Sequence, residues 1–478
     1  MLPDDVLLGI FDFYMEMNLS DQGKGAIEVW QVLIHVCRRW RNLVFGSPGR
    51  LNLRLLCTPQ TRVKDTLGVW PAFPILVEGN VALSSGTNDV IAALGQRNRV
   101  CQIILSDHAG RQLEKILVAM KAPFPELTDL RLASYGIKPP VIPDSFLGGS
   151  APRLQYFSLS GIPFPGLPNL LLSTTHLVSL WLIKIPDSWY IPPEAIAPLI
   201  SELSSLESLF LKFQSPSYRS RPDRPDRQAR SLRPPERTIL PALNKFHFRG
   251  VTEYLEELVA RIDTPQLHEM HISFFNQIND CPRLTQFINC TQSLMVLDKV
   301  RVQFDNTSAS VRLFRFGTSR SGSDDLLIHI SCREPDRQLS SVKRVCNSAL
   351  HPLSTVEDLY IERRYWDLVW KGDGIENTLW LQLLLPFTAV KNLYLSKEFA
   401  LVISAALESR AAEVPGPEEH VGERITEVLP RLQEIFVEGL EALGSVPENI
   451  GRFVAMRRLS SHPIAISDWD NDLDTEWM

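Results

Sequence analysis

One apolar spacing recurs along most of this chain and constrains its fold more than any other feature. The spacing is apolar-x-x-apolar-x-apolar, and it returns after about 23 to 42 residues except in one longer interval after Leu297. Its clearest instances begin at Val100, Leu127, Leu154, Leu177, Leu206, Leu243, Leu267, Leu297, Val356, Val390 and Leu432. The alternation predicts one short strand per instance, because successive strand side chains point to opposite faces. No single repeat can bury its apolar face alone, so the spacing predicts stacked repeats that share one core.

The segments between these strands favour helices, for example residues 112–120 and 397–407. The long interval between Leu297 and Val356 contains a further predicted strand at residues 326–330. We therefore expect an α/β fold in which an irregular solenoid places parallel strands on its concave face and helices on its convex face. A packed multi-domain α/β protein is the alternative that this pattern leaves open.

The first 48 residues differ from the repeats and predict a small helical module. Leu7, Ile10 and Phe11 recur at spacings of three and four residues, so they share one face of a helix. Val36 and Trp40 are related in the same way on a second helix. A module of this size buries too little apolar surface to be stable alone, so we expect it to pack against another surface. A generic helical hairpin is the alternative interpretation.

Three short motifs mark this module: Leu-Pro at residues 2 and 3, Ile-Phe at 10 and 11, and Cys-Arg-x-Trp ending at 40. Together they resemble the F-box, which docks on the Skp-type adaptor of cullin-based ubiquitin ligases. The resemblance implies adaptor-binding roles for Leu2, Pro3, Leu7, Ile10, Phe11, Val36 and Trp40. The sequence departs from the family at residues 15–28, where a polar stretch is inserted.

The repeats that follow resemble the irregular leucine-rich repeats found after F-boxes, including those of large families in filamentous fungi. In each repeat the residue between the last two apolar positions faces away from the core. These outward positions give the predicted partner-binding residues Arg131, Trp181, Phe210, His247, His271, Tyr360, Tyr394 and Phe436. Aromatic residues and arginine dominate interface hot spots, so we interpret this row as the surface that binds an unidentified target protein. Burial of the same rings as core is the alternative.

Three histidines, His247, His271 and His329, fall on equivalent positions of the predicted repeats. Adjacent strands lie about 4.8 Å apart, so His247 and His271 could be neighbours. A zinc site also needs a converging carboxylate or thiolate, and a contact between two histidines alone is more often a solvated pair. A solvated histidine pair is therefore the favoured interpretation, and we predict no metal site.

Composition argues against several function classes. A net charge of -6 over 478 residues does not predict a nucleic-acid or membrane partner, and no run of about 18 apolar residues is present. The seven cysteines form no C-x-x-C pair, which is typical of reduced thiols in a cytoplasmic or nuclear protein. Because phosphate-loop, zinc-protease and nucleophile-elbow motifs are absent, we expect a non-catalytic protein without cofactors.

The sequence predicts three regions: an F-box-like domain at 1–48, a repeat domain at 49–467 and an acidic tail at 468–478. A disordered Arg/Pro-rich insertion is predicted at 215–238. Arginine clusters attract polyanions, so RNA binding by this insertion is a weaker alternative. The two resemblances together imply the substrate-recognition subunit of a Skp–cullin–F-box ubiquitin ligase. A scaffold that assembles complexes without ubiquitination is the other possibility.

Overall fold

A computed structural model describes most of the chain. The described residues are 2–19, 26–81, 84–108, 111–215, 237–275, 281–315, 325–364, 376–412, 428–440, 448–459 and 462–469. Nearly all of the predicted insertion at 215–238 and of the predicted tail at 468–478 lies outside them. The contacts divide the chain into unit 1, with residues 1–190 and 202–206, and unit 2, with residues 191–201 and 207–478. The predicted boundary at residue 48 stays a prediction.

Unit 1 is an α/β structure whose strands run parallel in chain order. Its described strands are β1 (Leu55–Cys57), β2 (Ile75–Asn80), β3 (Val100–Asp107), β4 (Asp129–Ser134), β5 (Tyr156–Ser160) and β6 (Ser179–Ile185). Its described α-helices are α1 (Asp4–Leu19), α2 (Ala26–Val36), α3 (Arg38–Gly46), α4 (Val63–Val69), α5 (Ser84–Leu94), α6 (Gln112–Ala119) and α7 (Leu167–Leu171). Leu130 and Leu132 are buried whereas Arg131 between them is exposed, as the repeat pattern predicts.

A buried aspartate joins β3 to the helix that follows it. The Asp107 carboxylate accepts hydrogen bonds from the backbone N–H groups of Gln112 (3.0 Å) and Leu113 (2.9 Å). The first amide groups of a helix have no partner within the helix, so a carboxylate placed here stabilises its start. This contact fixes where α6 begins relative to the sheet.

Unit 2 is also α/β and contains a larger, mostly parallel sheet. Its described strands are β7 (Ser208–Phe213), β8 (Thr238–Ile239), β9 (Lys245–Gly250), β10 (Ile262–Asp263), β11 (Glu269–Phe274), β12 (Lys299–Phe304), β13 (Ser308–Phe314), β14 (Asp325–Ser331), β15 (Asp358–Arg363), β16 (Asn392–Leu395), β17 (Glu434–Glu438) and β18 (Ala465–Trp469). Its described α-helices are α8 (Pro193–Ser201), α9 (Thr252–Val259), α10 (Pro282–Cys290), α11 (Pro335–Arg344), α12 (Asn377–Leu384), α13 (Lys397–Ala412) and α14 (Glu448–Leu459). Strands β8 and β10 form a separate parallel pair.

One strand departs from the predicted parallel arrangement. Strand β13, which the spacing did not predict, runs antiparallel between β12 and β14. As a result β14 pairs with β11, and β12 pairs with β15, both in parallel. The spatial order of these strands is therefore the reverse of their order along the chain. The cause is the short connection after β12, which is long enough for a hairpin but too short for a helical crossover.

Asp305 builds that hairpin turn. Its carboxylate accepts hydrogen bonds from the Thr307 backbone N–H and from the Ser308 hydroxyl, both at 2.6 Å. An aspartate that bonds its own chain two or three residues later is a common way to close a turn. Burial raises the pKa of Asp305, but the hydrogen bonds from Ser308 and Thr307 outweigh that effect and hold the pKa below its ordinary value of 3.8.

We expect Asp305→Asn to lower the free energy of unfolding at pH 7 by about 1.5–3 kcal/mol, because hydrogen bonds to a charged group are lost. A carboxyl with a depressed folded-state pKa stabilises the fold above its ordinary pKa and loses this contribution as pH falls through the folded value. The wild type and the variant should therefore converge as pH drops below 3.8. Urea unfolding followed by circular dichroism at several pH values measures this. Asp263→Asn, at an exposed strand position, is the control, and an equal pH dependence in both variants would contradict the assignment.

Candidate functional site

An exposed apolar stripe runs along the N-terminal helix. Its members are Leu2, Val6, Ile10, Phe13 and Met17. Val6, Ile10, Phe13 and Met17 are spaced three or four residues apart and so share one face of α1, and Leu2 lies just before its first turn. The exposed fractions of the five run from 42% for Val6 to 63% for Phe13. Val32 and Val36 of α2 are also more than half exposed, and Pro3 is exposed as well. Contiguous exposed apolar side chains of this kind mark interaction surfaces.

Two of the predicted adaptor-binding residues lie inside the helical module. Leu7 and Phe11 are buried, and Phe11 is 0% exposed. The ring of Phe11 meets that of Trp40, which is partly buried in α3, edge to face with 4.8 Å between centroids. These side chains hold α1 against α3, so in this structure they position the stripe and are not part of its surface. The prediction missed three stripe residues, Val6, Phe13 and Met17, although their helical spacing from Ile10 was a signal for them.

The Cys-Arg-x-Trp motif explains how α3 begins and where it attaches. The Cys37 sulfur accepts a 3.5 Å hydrogen bond from the Trp40 backbone N–H and caps the helix. Arg39 forms an ion pair with Asp4 at 2.5 Å, which joins α3 to the first turn of α1. The motif thus serves the packing of the module in addition to the docking role that the resemblance implies.

The helical module packs against the segment of unit 1 that follows α4, as its small size led us to expect. Trp30 of α2 is buried and meets the rings of Trp70 and Phe73 with centroid distances of 5.2 and 5.7 Å. These contacts place the module beside the connection between α4 and β2.

Arg131 and Trp181 share one row on the open face of the unit 1 sheet, since both are in register with Ser158. The Arg131 guanidinium lies 4.1 Å from the Tyr156 ring centroid and 2.8 Å from an Asp129 oxygen. The rings of Tyr156 and Trp181 are 5.3 Å apart, and this group lines an open cavity of about 620 Å³. Burial raises the pKa of Tyr156 to about 12, so its phenol stays neutral at pH 7 and can donate a hydrogen bond.

The other predicted partner-binding residues lie on the open face of unit 2. They are Phe210, His247, His271, Tyr360, Tyr394 and Phe436. Tyr360, Tyr394 and Phe436 are aligned on β15, β16 and β17 and form a stack with centroid distances of 4.2 and 4.4 Å. Tyr360 is buried and Arg301 approaches its ring to 5.2 Å, whereas Tyr394 and Phe436 are partly exposed. Part of this row is thus accessible and part is packed.

Phe210, His247 and His271 continue the pattern on β7, β9 and β11. The rings of Phe210 and His247 stack at 4.1 Å, and those of His247 and His271 are 4.3 Å apart. Phe210 is buried, and the two histidines are partly exposed. The predicted equivalence of His329 is wrong, because β14 aligns Leu327 with His271 and places His329 two residues further along the sheet.

Two carboxylates lie beside the histidine pair. His247 Nε2 is 2.7 Å from a Glu269 oxygen, and His271 Nε2 is 2.8 Å from an Asp325 oxygen. One donor atom from each of His247, Glu269 and His271 lies within 4.8 Å of the other two, which is close enough to share a metal ion. Glu269 was predictable, because it precedes His271 by two residues and so faces the same side. Asp325 was not, because its place beside β11 depends on the hairpin that carries β13.

Electrostatics fix the ionisation of this histidine–carboxylate cluster. The hydrogen bond from His247, aided by Lys245, lowers the pKa of Glu269 to about 2, so Glu269 is a carboxylate at pH 7. Burial is the main effect that lowers the pKa of His247, and the charge of Lys212 contributes. The His247 imidazole is therefore neutral at pH 7.

No family model matches the chain, and a search of curated proteins finds no significant relative. Among the residues that the structure describes, no helix is both long and apolar enough to cross a membrane.

Proposed function

We propose that this protein is the substrate-recognition subunit of a Skp–cullin–F-box ubiquitin ligase that acts in the cytoplasm or nucleus. One observation carries the proposal: the stripe Leu2, Val6, Ile10, Phe13 and Met17 stays exposed although α1 packs against α2 and α3. The inner face of α1 already supplies Leu7 and Phe11 to the module. A second apolar face on the same helix needs another polypeptide to cover it, and the F-box resemblance names the Skp-type adaptor.

Burial of this stripe supplies enough free energy for docking. Complete burial of one Ile, Leu, Phe or Met side chain contributes about 1.5–3 kcal/mol. The five stripe residues are about half exposed, so burying the remainder contributes about 4–8 kcal/mol in total. This reaches the lower estimates of about 4 kcal/mol for the entropy lost on association. The adaptor in turn binds the cullin, so the F-box module connects this chain to the ligase.

The open faces of the two units supply the surface for a target protein. In unit 1, Arg131, Tyr156 and Trp181 combine the residue types that dominate interface hot spots. In unit 2, Tyr394 and Phe436 offer partly exposed rings. The chain itself makes or breaks no bond: by holding its target near the ubiquitin-charged enzyme, it raises the effective concentration of the acceptor lysine.

The proposal is tested by measuring the affinity of the full chain for a recombinant Skp-type adaptor. We expect Ile10→Asp and Phe13→Asp each to weaken binding by at least about 100-fold, because a carboxylate buried in an apolar interface without a partner costs several kcal/mol. Leu401→Asp, at an equally exposed apolar position of α13, should leave the affinity unchanged. A wild-type chain that does not bind the adaptor, or stripe variants that bind normally, would refute the proposal.

A reconstituted ligase separates this function from that of a scaffold. The adaptor and cullin should assemble on the wild-type chain, and proteins trapped by its repeats should become ubiquitinated. Assembly without any transfer to trapped proteins would instead support the non-catalytic scaffold.

A further inference from the structure

We propose that His247, Glu269 and His271 form a binding site for a divalent ion of the zinc type. Two imidazole nitrogens and one carboxylate oxygen within 4.8 Å of one another make up this set. Two histidines and a glutamate are an established zinc ligand set, in which a fourth position stays open. The proposal does not depend on ubiquitin ligase function, because it concerns only side chains of unit 2.

The backbone explains why these donors converge. Strands β9 and β11 pair in parallel with His247 opposite His271 and Lys245 opposite Glu269. Alternate residues of a strand face the same side, so Glu269 and His271 both lie on the open face of the sheet. His247 then reaches diagonally to Glu269, with 2.7 Å between Nε2 and Oε1. Two paired strands hold all three donors within reach of one ion, which must displace the hydrogen bond between His247 Nε2 and Glu269.

A second set of contacts orients the carboxylates. Glu269 directs Oε1 to His247, while Lys245 binds its other oxygen at 2.8 Å. Asp325 is arranged in the same way, with one oxygen 2.8 Å from His271 Nε2 and the other 2.8 Å from Arg312. Outer contacts of this kind fix the direction of ligand atoms in metal sites.

Binding requires the proton on His247 Nε2 to move away from that nitrogen. A hydrogen bond between His247 Nε2 and the ionised Glu269 needs a proton on that nitrogen when no metal is bound. The neutral imidazole must transfer this proton to Nδ1 or to solvent before Nε2 can donate its lone pair to a metal. Affinity should fall as the solution becomes acidic, since protonated histidines cannot bind metal.

The surrounding charges select the kind of ion. Lys245 and Arg312 already neutralise the two carboxylates, so the site offers little net negative charge to a hard cation. Mg²⁺ and Ca²⁺ prefer sets of oxygen ligands, which this site lacks. Imidazole nitrogen suits Zn²⁺, Co²⁺ and Ni²⁺. The open fourth position can hold water or a side chain from a bound protein.

The test uses the full chain, freed of metal with a chelator and titrated with Zn²⁺ against a chromophoric competitor. Co²⁺ in place of Zn²⁺ provides visible absorption bands that report its coordination. We expect the wild type to bind one Zn²⁺ per chain. The affinity for Zn²⁺ should fall by at least about 100-fold in His247→Ala, His271→Ala and Glu269→Gln, because the loss of even an outer contact lowers metal affinity by about 10–100-fold. Asp325→Asn removes only an outer contact, so it should lower the affinity for Zn²⁺ by about 10–100-fold. Mg²⁺ should not compete.

His329→Ala is the matched control, because His329 is a partly exposed histidine of the same sheet outside the cluster. It should bind Zn²⁺ and Co²⁺ as the wild type does. Circular dichroism checks that each variant folds, and the nearly isosteric Glu269→Gln decides the outcome if an alanine variant unfolds. A wild-type chain with no Zn²⁺ affinity, or cluster variants with unchanged affinity and Co²⁺ spectrum, would overturn the proposal.

Discussion

Replacing Trp380 by alanine should lower the free energy of unfolding of unit 2 by about 3–5 kcal/mol, the usual cost of deleting a large buried aromatic side chain. Trp380 of α12 is completely buried. Its ring lies 5.8 Å from that of Phe304 on β12 and 5.7 Å from that of Phe399 on α13. These contacts join one strand and two helices, so the cavity cannot close without moving more than one element.

Urea unfolding monitored by far-ultraviolet circular dichroism measures this loss as a lower transition midpoint at an unchanged slope. Trp380→Phe, which keeps an aromatic ring between Phe304 and Phe399, should cost less. Leu401→Ala removes an exposed side chain of α13 and should change stability by less than about 0.5 kcal/mol. Equal effects of Trp380→Ala and Leu401→Ala would show that the three-ring cluster does not limit the stability of unit 2.

The strands were predictable from the sequence because their signal is local. The apolar spacing formed by Leu127, Leu130 and Leu132, for example, predicts which side chains of a strand point into the core. Strand β4 begins two residues after Leu127. The parallel pairing of successive strands follows from the helices between them, as at α6 between β3 and β4. Register could therefore be anticipated across the repeats, and Tyr360, Tyr394 and Phe436 do align.

The hairpin that carries β13 was not predictable, because its position depends on contacts between distant residues. The apolar spacing that begins at Leu297 is the same whether a helix or a tight turn connects this strand to the next one. Asp305, Thr307 and Ser308 decide between these paths with three short hydrogen bonds. The consequence reaches far along the chain: Asp325 lies beside His271, and His329 does not.

Exposure in the helical module was the other property that motif matching could not supply. The resemblance to the F-box predicts the same adaptor-binding role for Leu7 and Ile10, although Leu7 is buried and Ile10 is 47% exposed. A helix face is assigned only by the elements packed on it, and the partner of α1 was not evident from residues 2–43. The role of each matching residue in adaptor binding stays a prediction.

Phe11→Ala should unfold the N-terminal helices while leaving the strands of both units intact. The ring is fully buried against Trp40, so its removal should cost about 3–5 kcal/mol. A module of three short helices has little stability of its own to lose. Hydrogen exchange read by mass spectrometry should show lost protection in α1 and α3, with strand amides unchanged. Ile10→Asp alters only the exposed face and should keep this protection, so its loss of adaptor binding would report the surface itself. Equal protection in Phe11→Ala and the wild type would mean that the packing of Phe11 on Trp40 does not hold the module together.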